Sequence, residues 1–128
     1  MVLGALHADD VPDRSIVLGH LGRNPEASRI LGAARSGAWL CMDTPSRRHA
    51  QGIDELAGIL AMLIDHGHLA QLLLGADTTV AVPAADRSQF GPSALFASVV
   101  PRLSELLGAD AVRQMLVENP GRAWSLGR

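Results

Sequence analysis

Three short apolar runs, each followed by a helical pattern, most constrain what this 128-residue chain can fold into. The runs are Ile16–Gly19, Ala38–Asp43 and Gln71–Asp77. Short continuous apolar stretches are typical of strands that are buried on both faces of a parallel sheet. Because strands and helices alternate along the chain, we predict an α/β fold with parallel strands and right-handed crossovers.

Helical periodicity separates the three runs. Apolar residues recur at helical spacing within 27–34 and again within 53–64. Gly37 and Gly67 follow these segments, in the position where a glycine ends many helices. We therefore predict one helix after each of the first two strands.

Two further helices are predicted after the third run, near 93–107 and 109–117. Pro101 is expected to interrupt the first of them, because proline lacks a backbone N–H donor. Trp39 and Trp124 are expected to anchor packing rather than to form a binding platform.

The composition indicates a single folded domain that spans residues 1–128. Apolar residues make up 48% of the chain and the net charge is −2, so disorder is not expected. A slightly acidic chain gives no reason to expect binding to nucleic acid, which a basic stripe would indicate. No apolar run approaches the roughly 20 residues needed to cross a membrane. The chain lacks the features of a signal peptide and has one cysteine, Cys41, so a reducing cytoplasm is the expected compartment.

A polar residue stands at or just beyond the end of each predicted strand: His20, Asp43 and Asp77. In parallel α/β folds, ligands bind beyond the carboxyl ends of the strands, so we expect the three side chains at one common rim. A histidine and carboxylates that meet there are typical ligands of a divalent metal. The alternative is that each residue merely caps the helix that follows it.

Four stretches carry a resemblance to a known family. They read VLGHLGRNPE, GAWLCMDT, LIDHGHLAQLLLGADTT and MLVENPGRAWSL, in this order. Together they resemble the C-terminal part of phosphotriesterase-related proteins, which belong to the metal-dependent amidohydrolase superfamily and fold as (β/α)₈ TIM barrels. The resemblance implies a partial barrel, in which the three strands are the sixth, seventh and eighth.

The resemblance also implies roles for the residues at the rim. His20 matches a sixth-strand histidine that binds one of two metals, which we expect to be zinc. Asp77 matches an eighth-strand aspartate that binds the other metal and handles the proton of the attacking hydroxide. Asp43 matches a seventh-strand aspartate near the mouth of the site, with a supporting contact to substrate at most.

A complete barrel of this type needs about 250 residues, and the family's other metal ligands would lie upstream of Met1. We therefore interpret the chain as the C-terminal part of a metal-dependent hydrolase, inactive in isolation. Self-association or pairing with a complementary N-terminal half is expected. The alternative is a non-catalytic remnant or oligomerisation domain of the same fold.

The loops after the first two strands suggest the substrate. The stretch GHLGRNPE resembles the branch of the family associated with lactone hydrolysis, including lactones that bear a phosphate. Arg23 lies in the first loop, and Arg47 and Arg48 lie in the second. Arginine suits bidentate binding of carboxylate or phosphate, so an anionic lactone is the predicted substrate, with solvent exposure or helix ion pairs as the alternative.

His66 and His68 form a His-x-His pair, which is a metal motif in the family. Here the pair surrounds Gly67 at a predicted helix end, where histidines interact favourably with the helix dipole. We expect both histidines to be structural.

Overall fold

Three parallel strands form one sheet in the computed structural model, which describes residues 2–22, 26–43, 50–77 and 92–125. The strands are Val17–Leu18 (β1), Trp39–Met42 (β2) and Leu72–Leu74 (β3), in the spatial order β1-β2-β3. The register pairs Val17 with Trp39 and Leu40 with Leu72. The predicted α/β fold with parallel strands is confirmed. Each strand is shorter than the apolar run that predicted it.

Helices precede and follow each of the first two strands. They are α1 (Val2–Ala8), α2 (Ala27–Ala34) and α3 (Ala50–Asp65), with 3₁₀ turns at Asp13–Ser15 and Leu69–Gln71. Past the end of α3, Gly67 has a φ of +82°. The His68 N–H donates to the Leu63 carbonyl at 2.9 Å, which is the Schellman pattern that a left-handed residue allows.

The C-terminal region is built from four short helical segments joined by two π-helical turns. The segments are α4 (Pro92–Ala94), α5 (Val100–Leu107), α6 (Ala109–Arg113) and α7 (Asn119–Ala123), and the π turns are Leu95–Val99 and Gln114–Glu118.

The predicted interruption at Pro101 takes the form of a π turn rather than a break in the helical path. The π turn ends just before the proline, with the Val100 N–H bonded to the Leu95 carbonyl, and Pro101 occupies the first turn of α5. The second π turn precedes Pro120 in the same way. A wider turn removes the clash between the proline ring and the preceding carbonyls, so the helical path continues.

The core lies between one face of the sheet and the helices. From the sheet it takes alternate residues of β2 and β3, among them Leu40, Met42 and Leu72, each 0% exposed. From the helices it takes buried aliphatic and methionine side chains: Ile30, Ala34, Ile53, Leu56, Ala57, Leu60, Leu63, Leu95, Val99, Leu103, Val112 and Met115. This one-sided core anchors the sheet and fixes the strand ends.

The opposite face of the sheet is more open. Val17 is 40% exposed, and Trp39 and Cys41 are half-buried, whereas Leu73 is buried. The Trp39 indole N–H donates to the Arg14 carbonyl at 3.0 Å, which ties this face to the turn before β1.

Trp124 does not anchor packing as predicted. It lies just past the last residue of α7 and is 62% exposed, because the chain has by then left the core.

The outer helices are joined by an ion pair. The Arg102 guanidinium in α5 donates from Nε and Nη2 to the two carboxylate oxygens of Asp54 in α3, at 2.7 and 2.9 Å. These hydrogen bonds hold the pKa of Asp54 below its usual range. Within the described ranges, no helix has the length and apolar character needed to span a membrane.

Candidate active site

The three residues predicted at the strand ends meet at one rim of the sheet. His20 follows β1, Asp43 directly follows β2, and Asp77 comes shortly after β3. The His20 Nδ1 lies 3.3 Å from Asp43 Oδ2 and 3.8 Å from Asp77 Oδ2. Since parallel strands deliver their carboxyl ends to the same edge, the sheet itself brings these side chains together. The roles assigned to them from the sequence stay predictions.

Both carboxylates of this cluster are largely buried, with the Asp43 side chain 12% and the Asp77 side chain 8% exposed. Asp43 as a whole residue is 8% exposed, and its Oδ2 accepts the backbone N–H of His20 at 2.8 Å. A Cβ added at Gly22 would lie 2.0 Å from the Asp43 carbonyl oxygen, and one at Gly75 would lie 3.4 Å from the Asp43 Cβ. The two glycines therefore let neighbouring backbone approach Asp43 more closely than a larger residue would.

The backbone is left-handed at two of the three site residues. His20 has a φ of +61° and Asp77 a φ of +45°. In the described part of the chain the remaining non-glycine residue with positive φ is Asp10, in the turn after α1. Such conformations cost roughly 1 kcal/mol or more and cluster at functional sites. Strain is thus concentrated where the polar side chains meet.

The carboxylates at the rim affect the pKa of Cys41 in β2. Burial first, and then the Asp43 and Asp77 carboxylates, together raise the pKa of the Cys41 thiol to about 11. Cys41 is therefore a neutral thiol near neutral pH, and is not suited to act as a nucleophile.

The donor types at the rim suit a divalent metal, but their number falls short of a full site. Across the described residues, no group of three or more histidine, cysteine or acidic side chains could hold a metal ion. The His20 side chain is 58% exposed, so its outer edge is accessible, and Asp77 adds one carboxylate. Zinc sites use three or four protein ligands, so these two residues would form part of a larger set.

The other predicted residues fall into two groups. Arg23, Arg47 and Arg48 lie outside the described residues. His66 and His68 lie just past the end of α3, as predicted. The His66 Nδ1 lies 2.8 Å from the Met62 carbonyl of α3, and the His68 Nδ1 lies 3.3 Å from Gln71 Oε1 in the next turn.

Asn119 is a buried polar residue that the sequence analysis did not identify. It is 0% exposed, and its Nδ2 donates to the carbonyls of Leu69 and Leu72 at 2.8 and 2.7 Å. This contact joins α7 to the amino end of β3, opposite the rim. The available signal was an asparagine within an apolar helical stretch, immediately before a proline.

Comparison with known proteins adds a family and a fold. The sequence pattern described as "Phosphotriesterase family" matches residues 3–124. No curated protein gives a significant match.

Several solved structures resemble the chain. They include the phosphotriesterase homology protein from Escherichia coli (24% identity, TM-score 0.76), the phosphotriesterase from Mycobacterium tuberculosis (21%, 0.75) and a mutant PTE-like lactonase from Deinococcus radiodurans (22%, 0.76). The alignments cover 94, 93 and 95% of this chain, but 42, 39 and 42% of those chains. At this identity the likeness shows the fold, and the chain spans about two fifths of each neighbour's length.

Proposed function

We propose, since the chain belongs to the phosphotriesterase family, that it is the C-terminal part of a metal-dependent hydrolase acting on lactone or phosphoester bonds. The proposal treats residues 1–128 as one domain. The observation that carries it is the cluster of His20, Asp43 and Asp77 at one rim. The Oδ2 atoms of Asp43 and Asp77 lie 3.3 and 3.8 Å from the Nδ1 of His20.

His20 and Asp77 are the residues that would hold metal, and zinc is our proposal for its identity. When bound, the metal would make a water molecule acidic enough to supply hydroxide near neutral pH. Asp77 would accept the proton of that water on a carboxylate oxygen and return it to the leaving oxygen. His20 would offer Nε2, because Nδ1 faces the two carboxylates.

The proposed substrate is a lactone that carries an anionic group. Arg23 belongs to the segment after β1, and Arg47 and Arg48 to the segment after β2, so both segments leave the sheet at its carboxyl end. Guanidinium groups bind phosphate and carboxylate in bidentate geometry. The resemblance of the fold to a PTE-like lactonase, and to an Escherichia coli protein solved with phosphate in its active site, supports this choice.

The proposed partner is a complementary set of barrel strands, or a second copy of this chain. Among the described residues, β1 and β3 each pair with β2 alone. Each thus has a second edge that further strands would pair with. We propose that the isolated chain is inactive, because its described donors are too few for a full site. A single cysteine in the sequence supports a cytoplasmic location.

Zinc titration of the purified chain tests the proposal. We expect weak binding that is removed by a chelator wash and lost in His20→Asn and in Asp77→Asn. His68→Asn, at the end of α3, is the matched control and should keep it. Tight stoichiometric zinc that survives the chelator, or weak binding that persists without His20, would overturn the proposed site.

The substrate class is tested in a complete enzyme that carries these loops. Arg23→Ala should reduce turnover of a phosphorylated sugar lactone much more than turnover of an uncharged lactone. Equal losses on both substrates would remove the charge argument. A complete enzyme without hydrolytic activity would favour the non-catalytic oligomerisation domain instead.

A further inference from the structure

We propose that Asp43 is a positioning residue, whose Oδ2 holds the proton of the His20 ring on Nδ1 and leaves Nε2 as the free ligand atom. The inference deepens the proposed function, since Nε2 is the atom that the proposed site needs. It differs from the predicted contact between Asp43 and substrate, and it concerns an atom that can be observed directly.

One oxygen of Asp43 engages His20 at two points. Oδ2 accepts the backbone N–H of His20 at 2.8 Å and lies 3.3 Å from Nδ1 of the same residue. A single acceptor placed between the amide and the ring restrains the side-chain torsions of His20. The ring is thereby held relative to β2, although the His20 side chain is 58% exposed.

The charge around Nδ1 selects the tautomer. Two carboxylate oxygens, from Asp43 and Asp77, lie 3.3 and 3.8 Å from this nitrogen. A lone pair on Nδ1 would face both negative groups, whereas an N–H there is attracted to them. Metal-binding histidines in proteins are commonly oriented by a carboxylate in this manner, with the other ring nitrogen free to coordinate.

The backbone around Asp43 preserves the arrangement. The left-handed φ of +61° at His20 turns its amide and its ring toward the same oxygen. Gly22 backs onto the Asp43 carbonyl so closely that no side chain fits between them. The Asp43 side chain is 12% exposed and its Oδ2 already contacts the His20 amide and ring, so little of the carboxylate is left for substrate.

Nitrogen-15 NMR of the histidine rings in the full chain tests the proposal. The His20 signals are assigned by their loss in His20→Asn, and the tautomer is read from long-range proton–nitrogen correlations of the neutral ring. In the unsubstituted chain we expect the proton on Nδ1 and a His20 amide that exchanges slowly with solvent. A proton on Nε2 overturns the proposal without any further variant.

Two aspartate variants separate positioning from general loss of structure. Asp43→Asn should shift the tautomer toward Nε2–H, while Asp77→Asn, the same change on the more distant carboxylate, should shift it less. Asp9→Asn, at an exposed aspartate, should leave it unchanged. An unchanged tautomer in Asp43→Asn, with the rest of the spectrum native, overturns the proposal. If that variant unfolds, the His20 tautomer is compared between Asp43→Ser and the unsubstituted chain, and the same shift toward Nε2–H is expected.

Zinc added to the same samples keeps this inference distinct from the proposed function. We expect the His20 Nε2 signal to move on addition of zinc, with affinity reduced about 10- to 100-fold in Asp43→Asn. A fixed Nδ1–H tautomer with no response to zinc would retain the positioning role and refute the metal site. A His20 signal that responds to zinc, with a tautomer that does not depend on Asp43, would retain the metal site and refute the positioning role.

Discussion

The two ends of the sheet handle buried polar groups in opposite ways. At the amino end, the Gln71 side chain donates to the carbonyls of Ala34 and Ala38 at 2.8 and 3.0 Å, and Asn119 donates to two more. At the carboxyl end, the carboxylates of Asp43 and Asp77 face one histidine ring, on a backbone that is left-handed at two points. The amino end matches donors with acceptors, whereas the carboxyl end gathers like charges and strain.

The difference indicates where the chain is stabilised and where it can do chemistry. The Arg122 guanidinium extends the amino-end network, because it donates to the Ala70 carbonyl at 2.9 Å and lies 5.9 Å from the centre of the Trp39 ring. A satisfied network of this kind contributes to folding. Active sites in barrel folds lie at the other end, where a strained, partly exposed cluster can be completed by a ligand.

The largest effect is expected from Asn119→Ala. The substitution leaves the Leu69 and Leu72 carbonyls without this donor and opens a cavity at a fully buried position. We expect the free energy of unfolding to fall by about 3 kcal/mol, measured by urea denaturation. Gln114→Ala, which removes a half-buried side chain 3.4 Å from Asn119 Oδ1, is the control and should cost less than half as much. A loss in Asn119→Ala no larger than that in Gln114→Ala would show that the two carbonyl contacts do not make Asn119 a special source of stability.

Gly22→Ala should have the next largest effect, now at the carboxyl end. The added Cβ would lie 2.0 Å from the Asp43 carbonyl oxygen, so backbone must move. We expect a loss of about 2 kcal/mol together with displacement of the His20 amide signal. Gly32→Ala, on the exposed side of α2 with no atom within 4 Å, should instead add up to about 1 kcal/mol. A neutral Gly22→Ala would contradict the close approach.

Asp77→Asn, at the carboxyl end, should not lower the free energy of unfolding, unlike the two preceding substitutions. Asparagine tolerates the left-handed backbone at this position and carries no charge to repel Asp43. We expect the free energy of unfolding to stay constant or to rise by about 0.5 kcal/mol, while zinc binding is lost. A clear loss of stability in urea would place Asp77 among the stabilising residues and break the distinction between the two ends.

The smallest effect concerns the reactivity of Cys41. Its pKa of about 11 leaves about one thiol in a thousand ionised at pH 8, so alkylation should be slow and should rise as the pH approaches 11. Asp43→Asn and Asp77→Asn each remove a negative charge that opposes ionisation, so each should speed alkylation modestly at fixed pH. Alkylation rates that do not change in either variant would show that the Asp43 and Asp77 carboxylates do not raise the pKa of Cys41.

Much of the fold follows from local sequence patterns. The apolar runs identify β1, β2 and β3, and the glycines Gly37 and Gly67 identify where α2 and α3 end, because these signals act over a few residues. The placement of His20, Asp43 and Asp77 at one rim follows from the same patterns, since a parallel sheet aligns the strand ends.

Other features depend on contacts that sequence patterns do not encode. Asn119 finds its acceptors about 50 residues earlier in the chain, and no local periodicity reports such a contact. Pro101 predicts an interruption of the α-helix, but the proline alone does not specify whether the helix breaks or widens into a π turn. The buried setting of Asp43 depends on glycines from two other segments, so its relation to His20 was not visible from spacing alone.

The order of the strands also bears on how quickly the chain folds. Each strand pairs with its successor along the chain, but Val17 pairs with Trp39 and Leu40 with Leu72, so a long crossover must close before either pairing forms. Parallel pairing of this kind favours slow folding. Since β2 is the shared neighbour of β1 and β3, we expect it to enter the transition state first, joined by β3 through α3. Asn119, contributed by the last helix, would then engage late, slowing unfolding more than it speeds folding.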